Sequence, residues 1–263
     1  MRIAIRHGVA IVAALLVAMS AACGKSSSDD ADDSVKLPQR SNEDSGEDAG
    51  IAPPDGSRPD NATADADTSV PQKTCGEPDL LLCFTFEGVV KDGSPNALVP
   101  TAVAGVTFGP GKVGQAAVLA DTSFIRYATA PLLTVPVATV EAWVRPTQLL
   151  AESVIFDADE RYSMAVLPNG ALQCSSSLVA GGIVPVGVWT HVACVFDGAS
   201  YTAYVGGVLK SSGAGATGIN AAASAAIGGN APSGQPFVGA IDSLRVFNVA
   251  RTAAQIAASA AGN

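Results

Sequence analysis

Basic residues are scarce in this chain. Fifteen Lys and Arg stand against 24 Asp and Glu in 263 residues, a net charge of -9. No basic patch exists to release counterions from phosphate, which argues against a nucleic-acid partner. Histidine is scarcer still, with two residues in all, of which only His191 lies beyond the first segment. A catalytic His needs a nucleophile and an orienting acid converging on it, and no nucleophile elbow accompanies this one, so His191 reads as a structural residue. No CxxC pair is present, which removes the usual signature of a zinc site. Aromatic residues make up only 5%, too few for a long stacking platform along a polysaccharide. The longest apolar run, Val9 to Met19, is eleven residues. As a helix it would rise about 16 Å, roughly half of a hydrocarbon core, so it does not read as a spanning helix.

The charge is unevenly placed: +2 over residues 1–22, -7 over 24–74 and -4 from Cys75 onward. Arg2 and Arg6, the run Val9 to Met19 and the small residues Ser20-Ala21-Ala22 before Cys23 have the form of a cleaved signal peptide, residues 1–22. Ala21-Ala22-Cys23 resembles the lipobox of bacterial lipoproteins, although Ser20 stands where that family usually has Leu. The resemblance implies acylation of Cys23, a lipid anchor in the membrane and, with Gly24 next, sorting to an outer membrane. Residues 23–74, with DDADD at 29–33 and DNATADAD at 60–67, lack hydrophobic periodicity. Such a segment cannot bury enough apolar area to offset its ordering entropy, so it is expected to be a disordered acidic tether reaching roughly 40 Å.

Residues 75–263 carry the pattern of a folded domain. Val188 to Leu209 alternates Trp189, His191, Ala193, Val195 against Thr190, Val192, Cys194, Phe196. Turns at Asp197-Gly198 and Gly206-Gly207 make it a three-stranded antiparallel meander. Further strands are expected at 80–86, 101–108, 116–120, 125–128, 138–145, 153–157, 163–167, 171–176, 222–227 and 237–247, punctuated by Gly and Pro. Many short strands without intervening helices predict an all-β, two-sheet antiparallel jelly-roll sandwich. The one helix is terminal, opened by a capping box of Thr252 with Gln255.

LLLCFTFEG at 80–88, GKVGQAAVL at 111–119, ATVEAWVRPT at 138–147, WTHVACVFDG at 189–198 and FVGAIDSLRVFNVARTAAQI at 237–256 occur in the order seen in laminin G-like domains. They resemble the concanavalin A-like lectin and glucanase superfamily, and most closely its bacterial, pentraxin-related branch. Gly206 and Glu87 depart from the family's commoner Asp. The resemblance implies an extracellular binding domain with carbohydrate as the leading ligand class. Protein adhesion or a structural surface role is the alternative, and a glycoside hydrolase is less favoured.

Hydrolysis would need two carboxylates flanking the glycosidic bond. Related glucanases carry them as ExDxxE, a string absent here. Glu141 has Thr139 and Trp143 as same-face neighbours. Glu152 and Asp157 differ in parity, while Asp157 and Asp159 share it but run into Glu160-Arg161, which reads as a solvated turn. The chain is therefore not expected to be an enzyme. Trp143, on one face with Glu141 and Arg145, could stack on a sugar or serve the core.

With Cys23 assigned to lipid, Cys75, Cys83, Cys174 and Cys194 remain, and an exported chain favours disulfides. Cys75 with Cys83 is a local pairing and Cys174 with Cys194 would link neighbouring strands. Loop closure makes these worth roughly 2.5 and 3 kcal/mol. The acidic residues suggest a structural calcium ion at one rim: Glu87 and Asp242 meet if the first and last strands pair, and Asp92 and Asn96 could complete the oxygen set. Alternatively Glu87 is a solvated turn residue and Asp242 caps a bend or pairs with Arg245.

Overall fold

A computed structural model describes residues 75–262 apart from positions 150, 176, 177, 216, 217, 219, 221, 232 and 233. Cys23, the leader and the tether lie outside the described residues. The strands are β1 (Leu80–Phe84), β2 (Ala102–Ala104), β3 (Thr107–Pro110), β4 (Gln115–Leu119), β5 (Phe124–Tyr127), β6 (Ala138–Gln148), β7 (Ser153–Ala158) and β8 (Tyr162–Val166). They continue as β9 (Ala171–Cys174), β10 (Leu178–Ile183), β11 (Thr190–Phe196), β12 (Ser200–Val205), β13 (Val208–Ala214), β14 (Ala225–Ile227) and β15 (Val238–Phe247), with a closing helix α1 (Ala253–Ala260). They form two antiparallel sheets, as the strand pattern predicts. One runs β13-β12-β11-β6-β15-β4-β3 with β1 also on β15; the other runs β10-β9-β8-β7-β14-β5-β2.

Period-two alternation fixes what lies between the sheets. Ala138, Val140, Ala142 and Val144 of β6 turn inward to meet Ile125, Phe156, Met164 and Leu172 from the other sheet. Most of the few aromatic residues are spent here: Phe156, Tyr162, Phe196 and Tyr201 form a chain of ring contacts with centroids 4.8 to 6.1 Å apart.

Three features differ from the sequence reading. The strand expected at 101–108 is two strands in different sheets, divided at Gly105. This residue sits at φ +62°, where a Cβ would come within 2.8 Å of Ser123 Oγ, while the Ser123 hydroxyl donates to the Gly105 carbonyl at 2.7 Å. Only glycine allows this crossing. β10, LVAGGI, was not foreseen, because its two glycines read as loop. Both disulfides form as paired from the sequence, but Cys174–Cys194 joins β9 to β11 and so staples one sheet to the other rather than linking neighbouring strands. Cys75–Cys83 ties the segment before β1 onto β1 itself.

β15 is the strand on which the large sheet closes. β6 lies along one side of it; β4 occupies the other side at 239–241 and β1 at 244–247. Between these halves its register shifts, with Ser243 at φ +49°, a bulge of the kind that re-aims side chains.

The outer face of that sheet is half covered by α1. Thr252 accepts from the Gln255 amide and Gln255 reaches back to the Thr252 backbone, the expected capping box. Ile256 then packs on Ala193, Val195 and Tyr204. Beneath the helix, Glu141 is wholly buried. Its Oε1 accepts from Arg245 Nη2 at 2.6 Å, Arg251 Nη1 at 2.8 Å and the Ser259 hydroxyl at 3.1 Å. Removing one partner of a buried ion cluster leaves charge without compensation. Glu141→Ala should therefore cost about 3–5 kcal/mol of unfolding free energy, with Glu141→Gln, which keeps an acceptor, costing less. Urea unfolding of the two variants beside wild type measures it.

Candidate functional site

Candidate site residues fall into three places, two of them singled out from the sequence. The first is the turn 111–115, which two acidic residues hold. Asp242 Oδ2 accepts from the Lys112 and Val113 amides at 2.9 and 3.0 Å, its Oδ1 accepts from the Ser243 hydroxyl at 3.0 Å, and Glu87 Oε2 accepts from the Gln115 amide at 3.0 Å. Burial pushes the Asp242 carboxyl above its ordinary value, three hydrogen bonds pull it back, and the Glu87 charge adds to the rise. The sequence reading brought these two carboxylates together, and the structure does so too. Asp92 and Asn96 are engaged elsewhere. Both Asp92 oxygens take donors, from Cys83 and Ser94 amides, the Ser94 hydroxyl and the Leu98 amide at 2.8–2.9 Å. The Asn96 side chain donates to the Leu80 and Leu81 carbonyls at 2.8 and 3.2 Å. Among the described residues no group of three or more His, Cys, Asp or Glu stands where it could hold a metal ion. Both oxygens of Asp92 and of Asp242 already face N–H and O–H donors, whose positive ends point where a cation would sit. The four residues named for calcium thus serve as two separate loop pins.

The second place is the uncovered half of the outer face of the large sheet. Trp143 opposes His191 and Asp242 across β6, β11 and β15. Its ring is already occupied, with Lys112 Nζ 4.5 Å above it and His191 edge-on at 5.5 Å. Arg145 lies 5.0 Å over the Trp189 ring. His191 is buried, with Nε2 3.8 Å from Glu141 Oε2. These contacts make this a cation-capped aromatic surface.

The third place was missed in the sequence. On the outer face of the smaller sheet, Arg126 of β5 separates two hollows. One, of about 230 Å³, is lined by Asp121, Ser123, Phe124, Gly228, Gly234 and Pro236, with Arg126 as its wall. The other, of about 360 Å³, is lined by Thr101, Ala102, Ala128, Ser224 and Ala231 on the far side of Arg126. The guanidinium lies 3.7 Å over the Phe124 ring, and among the described residues no carboxylate or carbonyl accepts from it. Parity carried a signal, since Phe124 and Arg126 alternate with the inward Ile125 and Tyr127. What faces Arg126 depends on contacts about a hundred residues away.

Two buried groups shape these walls. As the sequence suggests, the strand ends at Ala158 and runs into a turn at 159–161 with Glu160 exposed, but Arg161 is buried rather than solvated. Its terminal nitrogens donate to the Ala130, Ala223 and Ser224 carbonyls at 2.6, 3.2 and 2.8 Å. Asp157, also buried, accepts from the Ala231 amide at 2.9 Å, pinning the 228–236 loop. Gln235 adds a bond to Glu152 at 2.6 Å. Burial pushes the Asp157 carboxyl up to about 6, the Ala231 bond pulls it back, and Asp159 adds to the rise. Asp159 itself takes the Ser224 hydroxyl at 3.3 Å. These carboxylates hold loops in place.

Residues 120–257 match the Laminin_G_3 family of the concanavalin A-like lectin/glucanases superfamily. The chain belongs to that superfamily. Among solved structures, this laminin G-like chain is similar to domain 4 of AbnA, a GH43 extracellular arabinanase from Geobacillus stearothermophilus solved with arabinotriose. The two share 28% identity and a TM-score of 0.59, over 69% of this chain and 98% of that domain. The binding domain of Paraclostridial Mosquitocidal Protein 1 shares the fold at 14% identity and TM-score 0.54, over 69% of this chain and 52% of that one. The binding domain of botulinum neurotoxin DC, solved with SialylT, does so at 12% and 0.52, over 70% and 51%. The chain thus spans about half the length of these toxin domains. No curated protein matches the sequence.

The Asp157 carboxyl gives a test of the wall. Because its folded value is raised from 3.8 to about 6, the stability it contributes is complete below pH 3.8 and lost as pH rises through 6. Relative to Asp157→Asn, which keeps an acceptor for Ala231, wild type should lose up to about 3 kcal/mol between about pH 4 and pH 7. Melting curves of both proteins across that window should diverge as pH rises.

Proposed function

We propose that this protein is a non-catalytic glycan-binding module displayed on a bacterial cell surface by a lipid on Cys23, on the outer membrane. The likeness to the arabinanase domain carries the reading. It extends over nearly the whole of a domain solved with an oligosaccharide, at 28% identity. The two-hollow face supports it, since concave surfaces with a few convergent polar groups are where small ligands bind. Of the carboxylates near that face, Asp157 and Asp159 are committed to a loop amide and a hydroxyl, and Asp121 has no second carboxylate in the hollows with which to flank a bond for hydrolysis. The acidic segment 23–74 would act as the spacer between lipid and domain.

A glycan array probed with the full-length chain tests the binding, and arabino-oligosaccharides are expected among the retained glycans. A blank array, with retention of host or bacterial surface proteins instead, would favour the protein-adhesion reading. The anchor is tested separately. Wild type should partition into the detergent phase, and Cys23→Ala should release it to the aqueous phase; wild type found in the aqueous phase with an unmodified amino terminus would remove the lipid.

A further inference from the structure

We infer that Arg126 is the shared donor of a two-subsite groove, and that the ligand is a neutral oligosaccharide of at least two sugar units lying across it. The inference rests on the glycan-binding reading and says how the site is built.

Three observations lead there. The hollows of about 230 and 360 Å³ lie on the two sides of one side chain. Small-ligand sites run from about 300 to 1,000 Å³, so the smaller hollow falls short alone and the pair together falls well inside the range. The larger hollow reaches that range alone, so it is a ligand spanning both hollows that must pass over Arg126. The second observation is the state of the guanidinium. It is half-buried against Phe124, which fixes its plane, and among the described residues it has no carboxylate or carbonyl partner. A planar fork of N–H donors held in this way is prepared for acceptor oxygens arriving from either side.

The third observation is charge. Arg126 is the sole cation, and Asp121 the sole anion, lining either hollow. The pair can donate to and accept from the hydroxyls of a sugar, whose groups do both. A uronate or phosphate would gain at Arg126 but meet Asp121, with Asp157 close behind the Ala231 wall. Much of the remaining lining is small: Ala102, Ala128, Ala225 and Ala231 beside Tyr127 in the larger hollow, with Gly228, Gly229 and Gly234 beside Pro236 in the smaller. These surfaces admit the C–H faces of a ring without steric cost.

Isothermal titration of the full-length chain with arabinose, arabinobiose and arabinotriose tests this. Arabinotriose should bind at least tenfold more tightly than arabinose. Arg126→Ala should remove that gain while leaving the melting temperature unchanged, Arg126→Lys should keep only part of it, and Asp121→Asn should weaken binding severalfold. Equal affinities for arabinose and arabinotriose would overturn the two-subsite groove. Wild-type affinity in both Arg126 variants would overturn the role of the guanidinium. If none of the three sugars binds, this inference falls, and the glycan reading falls with it only if the array is also blank.

Discussion

A carboxylate with no solvent exposure, Glu141, is the constraint around which the large sheet is arranged. Ionised and alone it could not be buried, since the desolvation cost is several kcal/mol per ion. It is stabilised because three separate elements deliver donors to one oxygen: Arg245 from the last strand, Arg251 from the segment beyond it, and Ser259 from the helix. That requirement sets the position of α1 over β11 and β12, where Ile256 finds its apolar partners. It also leaves the Trp143 half of the sheet uncovered. In a domain with only eight Lys and Arg, burying Arg161, Arg245 and Arg251 leaves little positive charge for the surface. On the strands of the smaller sheet Arg126 is the one cation outside the interior, which gives that side chain its prominence.

The two outer faces consequently differ in kind. One is closed by a helix at one end and by cations resting on indole rings at the other. The second is open, walled by loops that buried groups fasten from below: Arg161 through three carbonyls and Asp157 through one amide. Polar atoms in the interior here act as anchors for irregular backbone, which has no ladder of its own to satisfy it.

Local chemistry was legible in the sequence, and pairing at a distance was not. Alternation along 138–145 and 189–196, the Asp197-Gly198 turn and the Thr252/Gln255 box each depend on neighbours within a few residues, and each predicted its element. The meeting of Glu87 with Asp242 followed from first and last strands lying together, as β1 and β15 do. What those carboxylates bind was out of reach, because the Lys112, Val113 and Gln115 amides belong to every residue type alike. For the same reason Asp92 and Asn96 looked like spare ligands when they were already committed. β10 was obscured by Gly181-Gly182, an edge pairing that only its partner β9 reveals. The Cys174–Cys194 bond was correctly paired but placed within one sheet, since parity along a strand says which face a residue takes and not which sheet lies opposite.

The Cys75–Cys83 bond has a mechanical consequence. A pull applied through the chain before Cys75 does not run along residues 76–82; it passes through the two sulfurs and enters β1 at Cys83. Cys83 is paired with Arg245, and Leu80 with Phe247 at the shielded end of the same strand. Tension is therefore delivered beside the Glu141 cluster, and the first turns of the domain are bypassed. Peeling β1 away from its free end, the easy route for a terminal strand, is closed to a load applied in this way. The open face on the opposite sheet lies outside the path.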